Sequence, residues 1–217
     1  MTGEVGRTRL YLVIEPGPAA SDRLSAALAA AAGEIASLLI VPQAARPLDL
    51  AAIVPLVTAA QAHEVAVLIA DDAALAREAG ADGVHMRTGE GSVERARQAR
   101  RLLGPDMIVG LDAGRSRHDA MSAGEDGADY VAFGIPAFVG DRETAAERRL
   151  DLCRWWAEVF EPPCVAFDVT TADDAASLAE AGADFVAFDL GEALSAADIA
   201  ARVRAFASAV GHRAEAL

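Results

Sequence analysis

Eight short apolar runs, each followed by a stretch of helical character, set the tightest limit on what this chain can become. The runs are Arg9–Glu15, Ser37–Pro42, Val65–Ala70, Gly83–Met86, Met107–Asp112, Tyr130–Gly134, Cys164–Asp168 and Phe185–Leu190. Between them the apolar period is near 3.6, as in Ser92–Leu103, where Val93, Ala96, Ala99, Leu102 and Leu103 form the stripe. Strict strand–helix alternation implies a parallel sheet. Near-continuous apolar strands imply burial on both faces. Eight such units in 217 residues are expected to close into one α/β domain over residues 1–217, a single (β/α)8 TIM barrel. An open doubly wound sheet is the other arrangement with this alternation.

A repeat sharpens the expectation. Gly80-Ala81-Asp82, Gly127-Ala128-Asp129 and Gly182-Ala183-Asp184 stand immediately before the fourth, sixth and eighth runs. Each Gly is placed to end a helix in the left-handed conformation, and each Asp to bond backbone within its turn.

Composition then excludes several functions. The net charge is −14, which argues against nucleic-acid binding. All 19 basic residues are Arg, so no lysine is available for Schiff-base chemistry. No apolar run reaches the roughly 18 residues a membrane span needs, and the start of the chain lacks a signal-peptide core; cytoplasmic location is expected. Cys153 and Cys164 have no His between them and read as buried thiols rather than zinc ligands.

Strand C-terminal ends carry the site in such a barrel. Here they hold Glu15, Asp71, Asp72, Asp112, Asp168 and Asp189. Carboxylates after strands either cap the next helix or, gathered on one rim, recruit a cation; both readings stand for this ring. His85 reads as a hydrogen-bonded strand residue. Arg95, Arg97, Arg100 and Arg101 read as a charged helix face, and Arg115, Arg117 and His118 as a solvated helix start or an anion clamp. Of the adjacent Trp155 and Trp156, one is expected on the barrel and the other at a contact between copies.

Several strings carry a resemblance. Leu10-Tyr11-Leu12-Val13, Ala79-Gly80-Ala81-Asp82-Gly83-Val84-His85, Gly127 to Gly134 and Ala181 to Asp184 stand in the order and spacing seen in thiamine phosphate synthases. The chain is similar to that family from about Arg9 to Val210. A thiazole tautomerase belongs to the same superfamily. The resemblance implies a transferase of thiamine biosynthesis that joins a pyrimidine pyrophosphate to a thiazole phosphate with the help of Mg2+. By position it implies metal binding at Asp71 and Glu90, and substrate contacts at Arg87, Asp112, Arg142 and Asp168.

The family pattern is altered at these positions. Its Asn-Asp after the third strand is Ala70-Asp71, and its Gly-Gln after the fourth is Arg87-Thr88. Its Ser and His at the fifth strand end fall on Asp112-Ala113-Gly114, and its phosphate-cradling Gly-Gly after the seventh on Asp168-Val169. The strand-two Gln-x-Arg-x-Lys is absent; Gln43 and Arg46 remain at a different spacing, and Arg142 is the basic residue left in the loop after the sixth strand. A carboxylate in place of a glycine cradle repels phosphate. The expectation is therefore a thiamine phosphate synthase-like protein with a degenerate phosphate site, weak or altered activity and a small-molecule ligand. The alternatives are a pseudoenzyme kept as a binding or regulatory barrel, or a metal-dependent enzyme that uses the acidic ring. Self-association is left open.

Overall fold

The computed structural model describes residues 7–43, 46–136 and 138–211. The strands are β1 (Arg9–Ile14), β2 (Ile35–Ile40), β3 (Ala66–Ala70), β4 (Gly83–Met86), β5 (Ile108–Asp112), β6 (Tyr130–Phe133), β7 (Cys164–Ala166) and β8 (Phe185–Asp189). The helices that follow them are α1 (Ala20–Ala31), α2 (Leu50–Gln61), α3 (Ala73–Glu78), α4 (Ser92–Leu103), α5 (Arg117–Glu125), α6 (Arg142–Val159), α7 (Ala172–Glu180) and α8 (Ala196–Gly211). All neighbouring strands run parallel and the sheet closes, with Leu10 opposite Val186 and Tyr11 opposite Ala187 across the β1–β8 seam. The open-sheet alternative is thereby excluded. The observed second strand, Ile35–Ile40, lies two residues earlier than the apolar run suggested: Ile35 already pairs with Leu10, Ala36 is bypassed at a register shift, and Ser37 pairs with Tyr11.

Period-two alternation divides the core into two layers. Leu10, Leu12 and Ile14 of β1 face the helices, while Tyr11 and Val13 face the barrel interior. The outer layer is aliphatic and Ala-rich. The inner layer combines Leu39, Leu68 and Val165 with Tyr11 and Tyr130. Tyr130 fits because Gly110 beside it has no side chain: a Cβ there would lie 2.0 Å from the ring. On α4 the expected stripe holds for Ala96 and Ala99, which are buried, and for Val93 and Leu103, which pack partly buried against the core, but Leu102 is exposed.

The three Gly-Ala-Asp joints do more than turn the chain. Gly80, Gly127 and Gly182 follow α3, α5 and α7 with φ of 69°, 79° and 98°, as a left-handed helix end requires. The aspartates, however, reach past their own turns. The Asp82, Asp129 and Asp184 carboxylates accept hydrogen bonds from the backbone N–H groups of Val67, Val109 and Cys164 at 2.7, 2.7 and 2.8 Å. Each aspartate's own N–H donates to the carbonyl of that same neighbour. The repeat therefore ties β3 to β4, β5 to β6 and β7 to β8 at the N-terminal end, the face of a barrel that serves stability.

Trp156 is buried against Phe133, and its Nε1 donates to the Pro162 carbonyl at 2.7 Å. Trp155 is half-buried, with the Arg117 guanidinium 4.6 Å from its ring centre. No described helix is long and apolar enough to cross a membrane.

Candidate active site at the C-terminal mouth

The C-terminal ends of the strands surround a cleft of about 500 Å³. Val13, Leu39 and Val41 form one wall, and Ile135, Pro136 and Phe167 another; Phe138 stands at the rim, 86% exposed. The polar groups are Asp71, His85, Arg87, Thr88, Asp112 and Asp168. The site is thus a greasy slot with carboxylates at its edge.

Its floor is a buried hydrogen-bonded chain. His85 Nδ1 lies 2.7 Å from the Tyr130 hydroxyl, which lies 2.9 Å from the Tyr11 hydroxyl. The His85 ring stacks on Phe167 with centroids 4.9 Å apart. Burial pushes the His85 imidazole down to about 3; the Asp71 charge opposes this and the Arg87 charge adds to it. The ring is therefore neutral at physiological pH. Burial also raises the Tyr11 and Tyr130 phenols, so both stay protonated.

Asp112 and Asp168 face each other across the end of β6. Asp112 accepts from the Gly114 N–H at 2.7 Å, and Asp168 from the Ile135 N–H at 2.7 Å. Burial, reinforced by the Asp168 charge, pushes the Asp112 carboxyl up to about 7 against backbone hydrogen bonds from Gly114 and Thr88. Asp168 has a φ of 58°, a conformation that glycine adopts more easily.

Asp71 is held differently. Its Oδ1 accepts from the Arg87 backbone N–H at 2.9 Å and from Arg95 Nη1 at 2.9 Å, and its Oδ2 accepts from Arg87 Nε at 2.6 Å. Burial works to raise its pKa, but the Arg87 hydrogen bonds and the two arginine charges outweigh it, leaving the carboxyl below the usual range.

The family pattern of thiamine monophosphate synthase matches residues 10–189. A thiamine-phosphate synthase of Hyphomonas neptunium is 43% identical over 212 residues, 92% of each chain. The Erythrobacter litoralis protein of the same name is 43% identical over 158 residues, 72% of each. The chain belongs to the thiamine monophosphate synthase family. A solved thiamine phosphate pyrophosphorylase of Pyrococcus furiosus superposes with a TM-score of 0.71 over 96% of this chain and 98% of that one. At 18% identity, that match speaks to the fold alone.

Within this family member, four of the six sequence-derived site residues, Asp71, Arg87, Asp112 and Asp168, line one cleft. Glu90 is exposed in the loop between β4 and α4, outside the cleft lining. Arg142, at the start of α6, donates from Nη1 to the Ile135 carbonyl at 3.3 Å and so braces the loop that carries the cleft wall. Of the other rim carboxylates, Asp72 caps α3 by accepting from the Leu75 N–H at 2.9 Å, and Asp189 accepts from the Gly191 N–H at 2.5 Å. Among the described residues no group of three or more His, Cys, Asp or Glu is placed to hold a metal ion. With both Asp71 oxygens engaged by guanidinium groups, the residues present do not fit the Mg2+ that family membership implies.

Arg95 is the site residue that the sequence hid. It reads as one of four arginines on a charged helix, yet its position in the first turn of α4 faces it to the mouth. The available signal was its distance from the strand end: helix starts, unlike helix ends, lie at the C-terminal face of a barrel. Tyr130 was equally unmarked, since its partners come from strands far away in sequence.

Proposed function

We propose that this protein is a thiamine-biosynthesis protein of the thiamine-phosphate synthase type in which the joining of pyrimidine pyrophosphate to thiazole phosphate is weak. The relatives' names support the reaction type. The position of Asp168 supports the weakness: a carboxylate hydrogen-bonded at the cleft edge stands where the family cradles phosphate on glycine backbone. Anionic oxygens brought there meet a negative charge instead of N–H donors. In this reading Arg87 and Arg142 meet the phosphate-bearing part of a small-molecule ligand, and Asp112 and Asp168 its uncharged or cationic part. The protein works in the cytoplasm on that ligand, without nucleic acid or membrane.

The deciding experiment is turnover of both family substrates by purified protein, together with calorimetric titration of thiazole phosphate and of pyrophosphate. The expected rate is well below the ordinary enzymatic range, which begins near about 1 per second. A rate at or above that value overturns the reading. Binding of thiazole phosphate with no turnover favours the second reading, a binding or regulatory barrel. That alternative draws on one observation: the Arg87 Nε, which could meet a phosphate, is spent on Asp71.

A further inference from the structure

The residue that differs most from the family pattern at the metal position is also the one that covers it. Asp71 is the metal-binding carboxylate by family position, and the glycine of the family's Gly-Gln pair is here Arg87. Glycine at that position has nothing to offer Asp71 beyond its backbone. Arg87 supplies its backbone N–H and its Nε to the two Asp71 oxygens. Arg95 adds a second guanidinium, with Nη1 on Asp71 and Nη2 on the Arg87 carbonyl at 2.9 Å. Both ion pairs close at hydrogen-bonding distance, 2.6 and 2.9 Å. Asp71 is turned to meet them by a φ of 59°.

We propose that Arg87 and Arg95 replace the divalent cation at this mouth, so that the cleft binds its ligand without a metal. Three arguments carry this. First, three of the roughly four lone-pair sites of a carboxylate already accept charge-assisted or backbone donors, and Mg2+ demands a nearly regular shell of oxygens. Second, two guanidinium groups on one carboxylate leave a net positive charge, which repels a dication and attracts an anion. Third, Glu90, the other carboxylate the family pattern offers, is exposed and outside the cleft lining.

The arrangement also orients Arg87. Its Nε is committed to Asp71 while the side chain remains about half exposed at the cleft. Its terminal Nη atoms are thus the part left to face a ligand. Their planar fork suits a single phosphate or carboxylate group. The inference rests on family membership and on these contacts, and holds whether or not the synthase reaction proves weak.

The test uses Mn2+ as a spectroscopic probe and Mg2+ in thermal melts. Native protein is expected to show no stoichiometric Mn2+ binding below millimolar concentration and no rise in Tm with millimolar Mg2+. Arg87→Gly removes one guanidinium from Asp71 and Arg87→Ala/Arg95→Ala removes both; at least one of the two is expected to gain Mn2+ affinity by tenfold or more, and adding Asp71→Asn removes the gain. Stoichiometric Mn2+ binding by native protein that is lost in Asp71→Asn overturns the proposal. So does the absence of any gain in every arginine variant that folds, judged by circular dichroism. If neither arginine variant folds, the native titration alone decides. Because the readout is metal binding, its failure is separate from any outcome of the turnover assay.

Discussion

Asp112 and Asp168 converge on Gly134: a Cβ placed on that glycine would lie 3.4 Å from Asp112 Oδ2 and 3.0 Å from Asp168 Oδ2. Two carboxylates from β5 and from the end of β7 thus meet above the end of β6, where the absence of a side chain leaves room for both. Burial first, and the neighbouring Asp168 charge in addition, favour the neutral form of Asp112 and hold its proton near neutrality.

The first prediction concerns Asp168. Its φ of 58° makes glycine a compatible replacement. Asp168→Gly removes the repulsive charge and frees the Ile135 N–H. Affinity for inorganic pyrophosphate is expected to rise at least about tenfold, equivalent to about 1.4 kcal/mol. Calorimetry checks this, and an unchanged affinity would show that the Asp168 charge does not control anion binding.

Asp112 and His85 should oppose each other in the pH dependence of stability. With Asp112 raised to about 7 from its ordinary value of 3.8, the native state binds a proton between those values that the unfolded chain does not, so its contribution to stability falls as pH rises. With His85 lowered to about 3 from 6.5, the unfolded chain binds the extra proton, so its contribution falls as pH drops. The two nearly cancel where the windows overlap. Asp112→Asn removes one side of the balance. Relative to native protein, it is expected to lose stability on acidification by at most about 1.4 kcal/mol per pH unit between about pH 6.5 and 4. Urea unfolding at three pH values measures the difference, and a constant difference would refute it.

Gly110→Ala should be among the costly small substitutions. The new methyl would meet two Tyr130 ring carbons and its hydroxyl oxygen at 2.0 to 2.4 Å, and Tyr130 is held from both sides by His85 and Tyr11. Overpacking of this kind costs about 1–3 kcal/mol, or about 2–4 °C of Tm for each kcal/mol in a protein of this size. A melting temperature within one degree of native, on the order of the scatter of a melt, would mean that the barrel interior yields more easily than its packing implies.

Tyr130→Phe tests the buried chain. It strands the Tyr11 hydroxyl and His85 Nδ1 in the interior, each at a cost of about 1–3 kcal/mol. Tyr11→Phe leaves the Tyr130–His85 bond in place and is expected to cost less. Adding Tyr11→Phe to Tyr130→Phe should recover part of the loss, because it removes one stranded group. Chemical denaturation of the three variants gives the comparison, and strict additivity would count against a coupled chain.

The parts legible in sequence were those written in local pattern. Alternating runs specified the strands, and Gly80, Gly127 and Gly182 specified the turns, because a left-handed helix end is a demand that a few residues make on themselves. The carboxylates at strand ends were legible for the same reason: Asp71, Asp112 and Asp168 needed only their place after an apolar run. Their roles were not. Asp72 became a helix cap and Asp168 a backbone acceptor, and nothing in the sequence separates these outcomes.

The sequence by itself determined an eight-unit barrel of the thiamine monophosphate synthase family, because period, turn chemistry and motif order are properties of neighbouring residues. Tertiary structure alone decided that Arg87 and Arg95 close on Asp71, that Asp82, Asp129 and Asp184 bind adjacent strands, and that Tyr130 links His85 to Tyr11. Those partners lie between 15 and 119 residues apart in the chain. Which charge meets which, and which group is stripped of water, is set by the closure of the barrel, since only then do the strand ends share one low-dielectric mouth.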